Sequence, residues 1–241
     1  MVYSSIDNKK IKDIKKLNQK KYRDIEGLFL IEGEHLVIEA YKSGYLECVI
    51  LEENTSFDID CETIYVTDKV LKYISELDNP QKIMGICKKI DSNTIGDKVI
   101  ILDGIQDPGN LGTIIRSAVA FSFDTIILSK NTVDLYNSKV VRASQGLIFY
   151  PNILIKDLKN TIIELKNDGY SIIGTKVDGG VDIKSINVKN KFALVMGNEG
   201  NGVSKEILDL CSDYAYIKMD SRCESLNVGV ATSILLYELN K

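Results

Sequence analysis

Histidine is almost missing from this chain: its 241 residues contain one, His35. That scarcity excludes a His-rich metal centre, and it leaves a Ser-His-Asp triad only if His35 meets partners far along the chain. Five cysteines (Cys48, Cys61, Cys87, Cys211, Cys223) form no C-x-x-C pair and have no histidine at ligand spacing, so reduced structural thiols and no metal are expected. Cys223 stands apart because it abuts Glu224-Ser225. No apolar run approaches the roughly 18 residues of a membrane helix, and the N-terminus lacks a signal peptide's apolar core, so a cytoplasmic protein is expected. Also missing are the G-x-G-x-x-G and G-x-x-x-x-G-K-[ST] loops, which disfavours a dinucleotide oxidoreductase or a nucleotide triphosphatase.

The net charge of −4 hides an uneven distribution. Between Met1 and Arg23, eight basic residues (Lys9, Lys10, Lys12, Lys15, Lys16, Lys20, Lys21, Arg23) stand against Asp7 and Asp13, giving this segment +6 and the remainder −10. A cationic face on an acidic body suits a phosphate backbone. A solvated helix has the same composition, and charge alone leaves both readings open.

Ile11, Ile14 and Leu17 put a narrow apolar stripe on the lysine-rich first helix. Phe29-Leu30-Ile31, Val49-Ile50-Leu51 and Ile64-Tyr65-Val66 read as strands alternating with helical stretches such as Glu34 to Ser43. This predicts a small α/β domain over residues 1–91, bounded by the polar segment Asp91 to Asp97. From residue 98 to 241 the pattern becomes repeating βα. Strands are predicted at Val99 to Leu102, Thr125 to Leu128, Ile172-Ile173, Phe192 to Met196 and Tyr214 to Met219, and helices at 111–121, 137–148, 158–168 and from about Leu226 to Leu239. Strands apolar on both faces predict a parallel sheet covered on both sides, with ligands at the carboxyl ends of its strands.

Three polar motifs fall at such strand ends. In Asp107-Pro108-Gly109-Asn110-Leu111-Gly112, a tight turn leads into a helix that Asn110 is placed to cap. Arg116 points away from the stripe of Leu111, Ile114, Ile115, Ala118 and Val119, and Gly112 one turn earlier clears space beside it. Gly197-Asn198-Glu199-Gly200-Asn201-Gly202 lets backbone approach a ligand closely, with the Glu199 carboxylate at its rim. In Glu224-Ser225-Leu226-Asn227, Ser225 is placed to cap the last helix, while Asn227 in its first turn calls for a partner. Each motif alone is also compatible with a cap, a turn or a solvated side chain. Together they gather two amides, an arginine, a carboxylate and a hydroxyl, an inventory for orienting a substrate toward a cofactor that carries its own reactive group.

With these motifs in this order, the chain resembles the SpoU (TrmH-type) branch of the SPOUT superfamily, RNA ribose 2′-O-methyltransferases that use S-adenosylmethionine. Asn8, Lys20-Lys21-Tyr22-Arg23 and Phe29 to Gly33 resemble the substrate-binding domain of the ribosomal-RNA members, and Tyr136 to Ser144 resembles the family's connecting segment. Gln145 and Lys82 depart from the family pattern. The resemblance implies a C-terminal SPOUT domain with a parallel sheet tied in a deep trefoil knot, preceded by a small RNA-binding α/β domain. It implies catalytic roles for Asn110, Arg116, Glu199, Ser225 and Asn227, cofactor contacts at Thr175, Gly197, Ile217 and Leu226, and a homodimer to which Val230, Ile234 and Leu235 of the last helix contribute. RNA contacts are implied for Lys9, Lys12, Lys16, Lys20, Lys21, Arg23 and Arg142.

The expected reaction is methyl transfer to a ribose 2′-hydroxyl, in ribosomal RNA of the 23S type by analogy. Transfer RNA as substrate, or a noncatalytic role in ribosome assembly, are the alternatives. Arg116 is either the base or a bidentate phosphate clamp, and a guanidinium pKa above about 12 makes the clamp the less demanding role.

Overall fold

The computed structural model describes every residue except Asp178, Lys189 and Lys241. It divides into two compact units, one of residues 1–91 and 134–149, the other of residues 92–133 and 150–241.

The first unit opens with β1 (Val2–Tyr3), α1 (Lys9–Lys16) and α2 (Lys20–Glu26). Asn8 caps α1 by accepting from the Lys10 amide, and the expected stripe of Ile11, Ile14 and Leu17 is buried. α2 ends at Gly27, whose φ of 66° closes the helix in the left-handed conformation. Then follow β2 (Leu28–Glu32), α3 (Glu34–Lys42), β3 (Leu46–Glu52), β4 (Thr63–Val66), α4 (Asp68–Ile74) and β5 (Ile83–Lys88). They form a mixed sheet of order β1-β4-β3-β5-β2, in which β2 and β3 flank β5 antiparallel and β2 is an edge.

The second unit begins with β6 (Lys98–Asp103), α5 (Pro108–Ala120) and β7 (Thr125–Ser129). Next in the chain, α6 (Ser138–Ala143) and a single 3-10 turn at Leu147–Phe149 pack in the first unit. The continuous helix expected at 137–148 is broken because Gln145 and Gly146 take φ of 52° and 80°, which no right-handed helix accommodates. The chain then resumes the second unit with β8 (Asn152–Lys156), α7 (Leu158–Asn167), β9 (Ser171–Thr175), β10 (Val181–Asp182), β11 (Phe192–Gly197), α8 (Lys205–Leu208), β12 (Asp213–Tyr216) and α9 (Val228–Leu239).

Every pairing in this seven-stranded sheet, of order β10-β12-β9-β11-β6-β7-β8, is parallel. β11 is fully buried and β6 nearly so, as two-sided coverage requires. β12 stops at Tyr216, short of the expected Met219, and α9 starts at Val228 rather than Leu226.

Arg23 is an internal residue and not a surface cation. Its guanidinium donates to the carbonyls of Leu17 (2.9 Å) and Asn18 (2.7 Å) and pairs with Asp134, tying the α1–α2 corner to the 134–149 segment. Removing one member of a buried ion pair strands the other. Arg23→Ala is therefore expected to lower stability by about 3 kcal/mol, measured by urea unfolding, without changing the RNA affinity of the molecules that remain folded.

Candidate active site

β11 delivers Gly197 into a turn too tight for any side chain: a Cβ there would lie 1.9 Å from the Gly202 carbonyl carbon and 2.0 Å from the Val203 nitrogen. Asn198 sets the turn. Its backbone exchanges two hydrogen bonds with Gly202, its side-chain oxygen accepts from the amides of Gly200 and Asn201, and its Nδ2 donates to the Gly104 carbonyl just past β6. The glycine loop is thereby fixed to the loop that opens α5. Asn198 was not among the predicted site residues, although an asparagine preceding a glycine-rich run is itself a turn signal.

This anchoring places the Glu199 carboxylate before the N-terminus of α5. It accepts from the amides of Gln106 (3.1 and 3.2 Å) and Asp107 (3.0 Å) and from Asn110 Nδ2 (3.0 Å). Burial raises the carboxyl's pKa, but the donors from Asn110, Asp107, its own backbone and Gln106 outweigh that and hold it below the ordinary 4.5. Glu199 is thus an anion at neutral pH and no proton donor. The cap of α5 is Asp107, which accepts from the Asn110 amide, with Pro108 at the first helical position where its missing N–H costs nothing. Asn110, expected as the cap, sits inside the first turn and its side chain is free for the site.

Asn110 Oδ1 in turn accepts from Asn227 Nδ2 at 2.8 Å, and Asn227 Oδ1 accepts from the amides of Gly229 and Val230. Asn227 is the N-cap of α9, the role expected of Ser225. Helices α5 and α9 lie close together behind this junction: a Cβ at Gly229 would come within 3.1 Å of the Thr113 side chain, and Ser117 meets Ser233 at 2.7 Å.

Of the five predicted catalytic residues, the structure joins Glu199, Asn110 and Asn227. Arg116 is exposed on α5 and, among the described residues, has no hydrogen-bond or ion-pair partner. Ser225 is exposed; its carbonyl accepts from the Cys223 thiol. Of the predicted cofactor positions, Thr175, Gly197 and Ile217 lie at or just past the carboxyl ends of β9, β11 and β12, neighbours in the sheet, with Leu226 half-buried. Thr175 Oγ1 donates to the Val195 carbonyl at 2.8 Å. Burial pushes the Cys48 thiol up to about 12 and Cys211 to about 11, so neither is a nucleophile at neutral pH.

In the first unit, Lys12, Lys16 and Lys20 are exposed and pair with Asp7, Asp13 and Asp24, while Lys9 and Lys21 have no ion-pair partner among the described residues. Exposed pairs contribute little to stability and exchange readily for phosphate contacts. Arg142 is half-buried, in a cleft that Glu32 and Glu76 also line.

The motif-bearing part of the chain, residues 97–237, matches the SpoU rRNA Methylase family, and residues 8–85 match an MRM3-like substrate binding domain. The chain belongs to the SpoU rRNA Methylase family. It is accordingly an S-adenosylmethionine-dependent RNA methyltransferase. One similar relative is the 23S rRNA (guanosine(2553)-2′-O)-methyltransferase RlmP of Bacillus subtilis, 37% identical over 98% of this chain and 97% of its own length. Among solved structures, the AdoMet-bound rRNA methyltransferase of Sinorhizobium meliloti superposes with a TM-score of 0.87 at 31% identity, covering 99% of this chain and 96% of its own. An RNA 2′-O ribose methyltransferase structure superposes at 0.83 with 26% identity, covering 99% and 97%.

The residues present fit this SpoU cofactor. The ends of β9, β11 and β12 offer neutral backbone groups on strands about 4.8 Å apart, and Ile217 and Leu226 add half-buried apolar surface.

Glu199→Gln is expected to cut methyl transfer at least about tenfold, since an amide must turn one N–H₂ group toward donors and lose roughly 1.4 kcal/mol of alignment. The pH sign follows from the lowered carboxyl. Its anchoring is complete above about pH 4.5 and is lost as pH falls through the lowered value. Hydrogen-exchange protection of the Gln106 and Asp107 amides should show this acid limb in the parent chain and lack it in the variant.

Proposed function

We propose that the chain methylates a ribose 2′-hydroxyl of 23S-type ribosomal RNA, with the unit of residues 92–133 and 150–241 transferring the methyl group and the unit of residues 1–91, completed by residues 134–149 that the sequence pattern places in the second domain, binding the substrate. The observation that carries this reading is the locked Glu199–Asn110–Asn227 relay at the start of the same helix that presents Arg116, exposed and without a polar partner among the described residues. The relay matches what alignment of a single hydroxyl requires, and the full-length similarity to the Bacillus relative favours ribosomal RNA. The trefoil knot is carried by the family resemblance, and the insertion of β11 between β6 and β9 accords with it. The site of action is the cytoplasm; no helix among the described residues is long and apolar enough to cross a membrane.

Bound S-adenosylmethionine supplies a methyl group that is already electrophilic. The work of the chain is to bring the ribose oxygen in line with that group and to dispose of its proton. Asn110 and Asn227 hold the geometry of the α5 entrance, Ser225 and Leu226 border it, and Arg116 takes the neighbouring phosphate through two parallel N–H donors. The ribose O–H proton passes to solvent water, which reaches the exposed Arg116 and Asn227 at this entrance, because a guanidinium that clamps phosphate has no lone pair to take it.

The test is transfer of labelled methyl to total ribosomal and transfer RNA from a strain lacking this protein, followed by nuclease mapping. Label on a ribose in 23S RNA is expected. Label confined to transfer RNA would refute the substrate, and an absence of transfer despite cofactor binding would refute the activity. Arg116→Lys should lose at least about a hundredfold in kcat/KM. A phosphate clamp raises KM, whereas a basic pH limb that persists at saturating RNA would make Arg116 the base.

We further propose a homodimer. Leu235, expected on the contact face, is in the core with Leu236 and Leu239, whereas Val230, Ile234 and Tyr237 are 48%, 36% and 65% exposed along one side of α9. This spacing is the helical repeat of an exposed apolar face, with Tyr237 also edge-on to the Phe121 ring. Ile234→Glu is expected to shift the mass measured by light scattering from two chains to one; an unchanged mass would rule this face out.

A further inference from the structure

The first unit carries a groove of about 670 Å³ between α1, α2 and the β2–β5 edge of its sheet, lined by residues of that unit. Its floor is apolar, formed by Ile14, Leu17, Leu28 and Ile86. Tyr22 and Ile25, one turn apart on α2, form its outer wall, and Ile25 is 65% exposed. Such an isoleucine on a seven-residue helix whose six other residues are charged or tyrosine is an unusual surface choice unless something covers it.

The rim is cationic. Lys9, Lys10 and Lys16 line the groove, and the ammonium groups of Lys16 and Lys21 lie 5.7 and 5.8 Å from the Tyr22 ring centre. Asp13 and Glu26 are the only acids among the lining residues, and Asp13 is already paired with Lys16.

We propose that this groove receives an unpaired nucleobase of the substrate RNA, stacked against Tyr22 and Ile25, with the flanking phosphates held by Lys9 and Lys21. The proposal rests on the RNA reading above and gives it a site. A flat basic face would suffice for duplex RNA, whose bases are hidden, but a concave apolar slot inside a ring of lysines matches a splayed single strand, which offers a π face and phosphates together. Charge complementarity selects RNA over a protein partner: leaving out the internal Arg23, seven lysines stand against Asp7 and Asp13 in the first 23 residues, and Lys9 and Lys21, without ion-pair partners among the described residues, are placed to take phosphates.

The experiment uses the full chain and a short, unstructured, fluorescently labelled oligoribonucleotide, with affinity read by anisotropy across a salt series. Loss of one stacked base is worth about 1–3 kcal/mol, so Tyr22→Ala should weaken binding by roughly 5- to 150-fold with an unchanged salt slope. Tyr22→Phe should bind like the parent, and Ile25→Gln, at an exposed position that folding does not need, should weaken binding in the same direction. Lys9→Ala should instead reduce the salt slope by about 0.7. Parent-like affinity for both Tyr22→Ala and Ile25→Gln would overturn the proposal, as would preference for a duplex of the same length. Oligonucleotide binding with these signatures, in a chain that transfers no methyl group to ribosomal RNA, would uphold the groove and reject the proposed function, so the two fail separately.

Discussion

The site depends on one constraint: a carboxylate accepts hydrogen bonds and cannot donate them. Because Glu199 is held as an anion, Asn110 must turn its NH₂ group toward it, which leaves the Asn110 oxygen facing Asn227. Asn227 must then donate, and its own oxygen meets the backbone N–H groups of α9, which can only donate. Two amides whose ends are nearly interchangeable in shape are thereby given one orientation, running without a break from the glycine loop to the last helix. With a neutral side chain at position 199 the order would be set from the α9 end alone, by the backbone N–H groups that hold the Asn227 oxygen.

The parallel sheet makes this convergence possible. When all neighbours run the same way, every loop that follows a strand emerges on one side, so residues 92 and 89 positions apart, Asp107 and Asn110 against Glu199, meet across adjacent strands. β6 and β11 pair along their whole length, from Lys98 against Phe192 to Asp103 against Gly197, and their loops start level with one another. Asn198 adds the last restraint by bonding the turn after β11 to the turn after β6.

Much of this was legible in the residues. Two-sided apolar strands announced the parallel sheet, the three motif loops were placed at its carboxyl ends, Asn227 was singled out as needing a partner, and the family resemblance pointed to Glu199 and Asn110 beside it. The errors share a cause. Asn110 and Ser225 were read as caps because local sequence favours the polar residue nearest the apolar run, yet Asp107 and Asn227 took those roles once Pro108 and the α9 geometry set the starts. Arg23 looked like one more cation in a basic segment, since its partner lies 111 positions away. β5 and β8 were overlooked: Ile83 to Cys87 contains a glycine and a cysteine that blur the pattern, and Asn152 to Lys156 is buried at only two of its five positions.

The return of residues 134–149 to the first unit governs the order in which the protein can be made. The chain leaves that unit at Asp91, builds β6, α5 and β7 of the second, and comes back before finishing either. On a ribosome, Arg23 waits in an unfinished corner while more than a hundred residues are added, and only then does Asp134 arrive. The N-terminal part is therefore not a module that matures first and is extended later. Its completion is scheduled within the synthesis of its neighbour, and a chain cut between the two would leave a buried cation without its counter-charge.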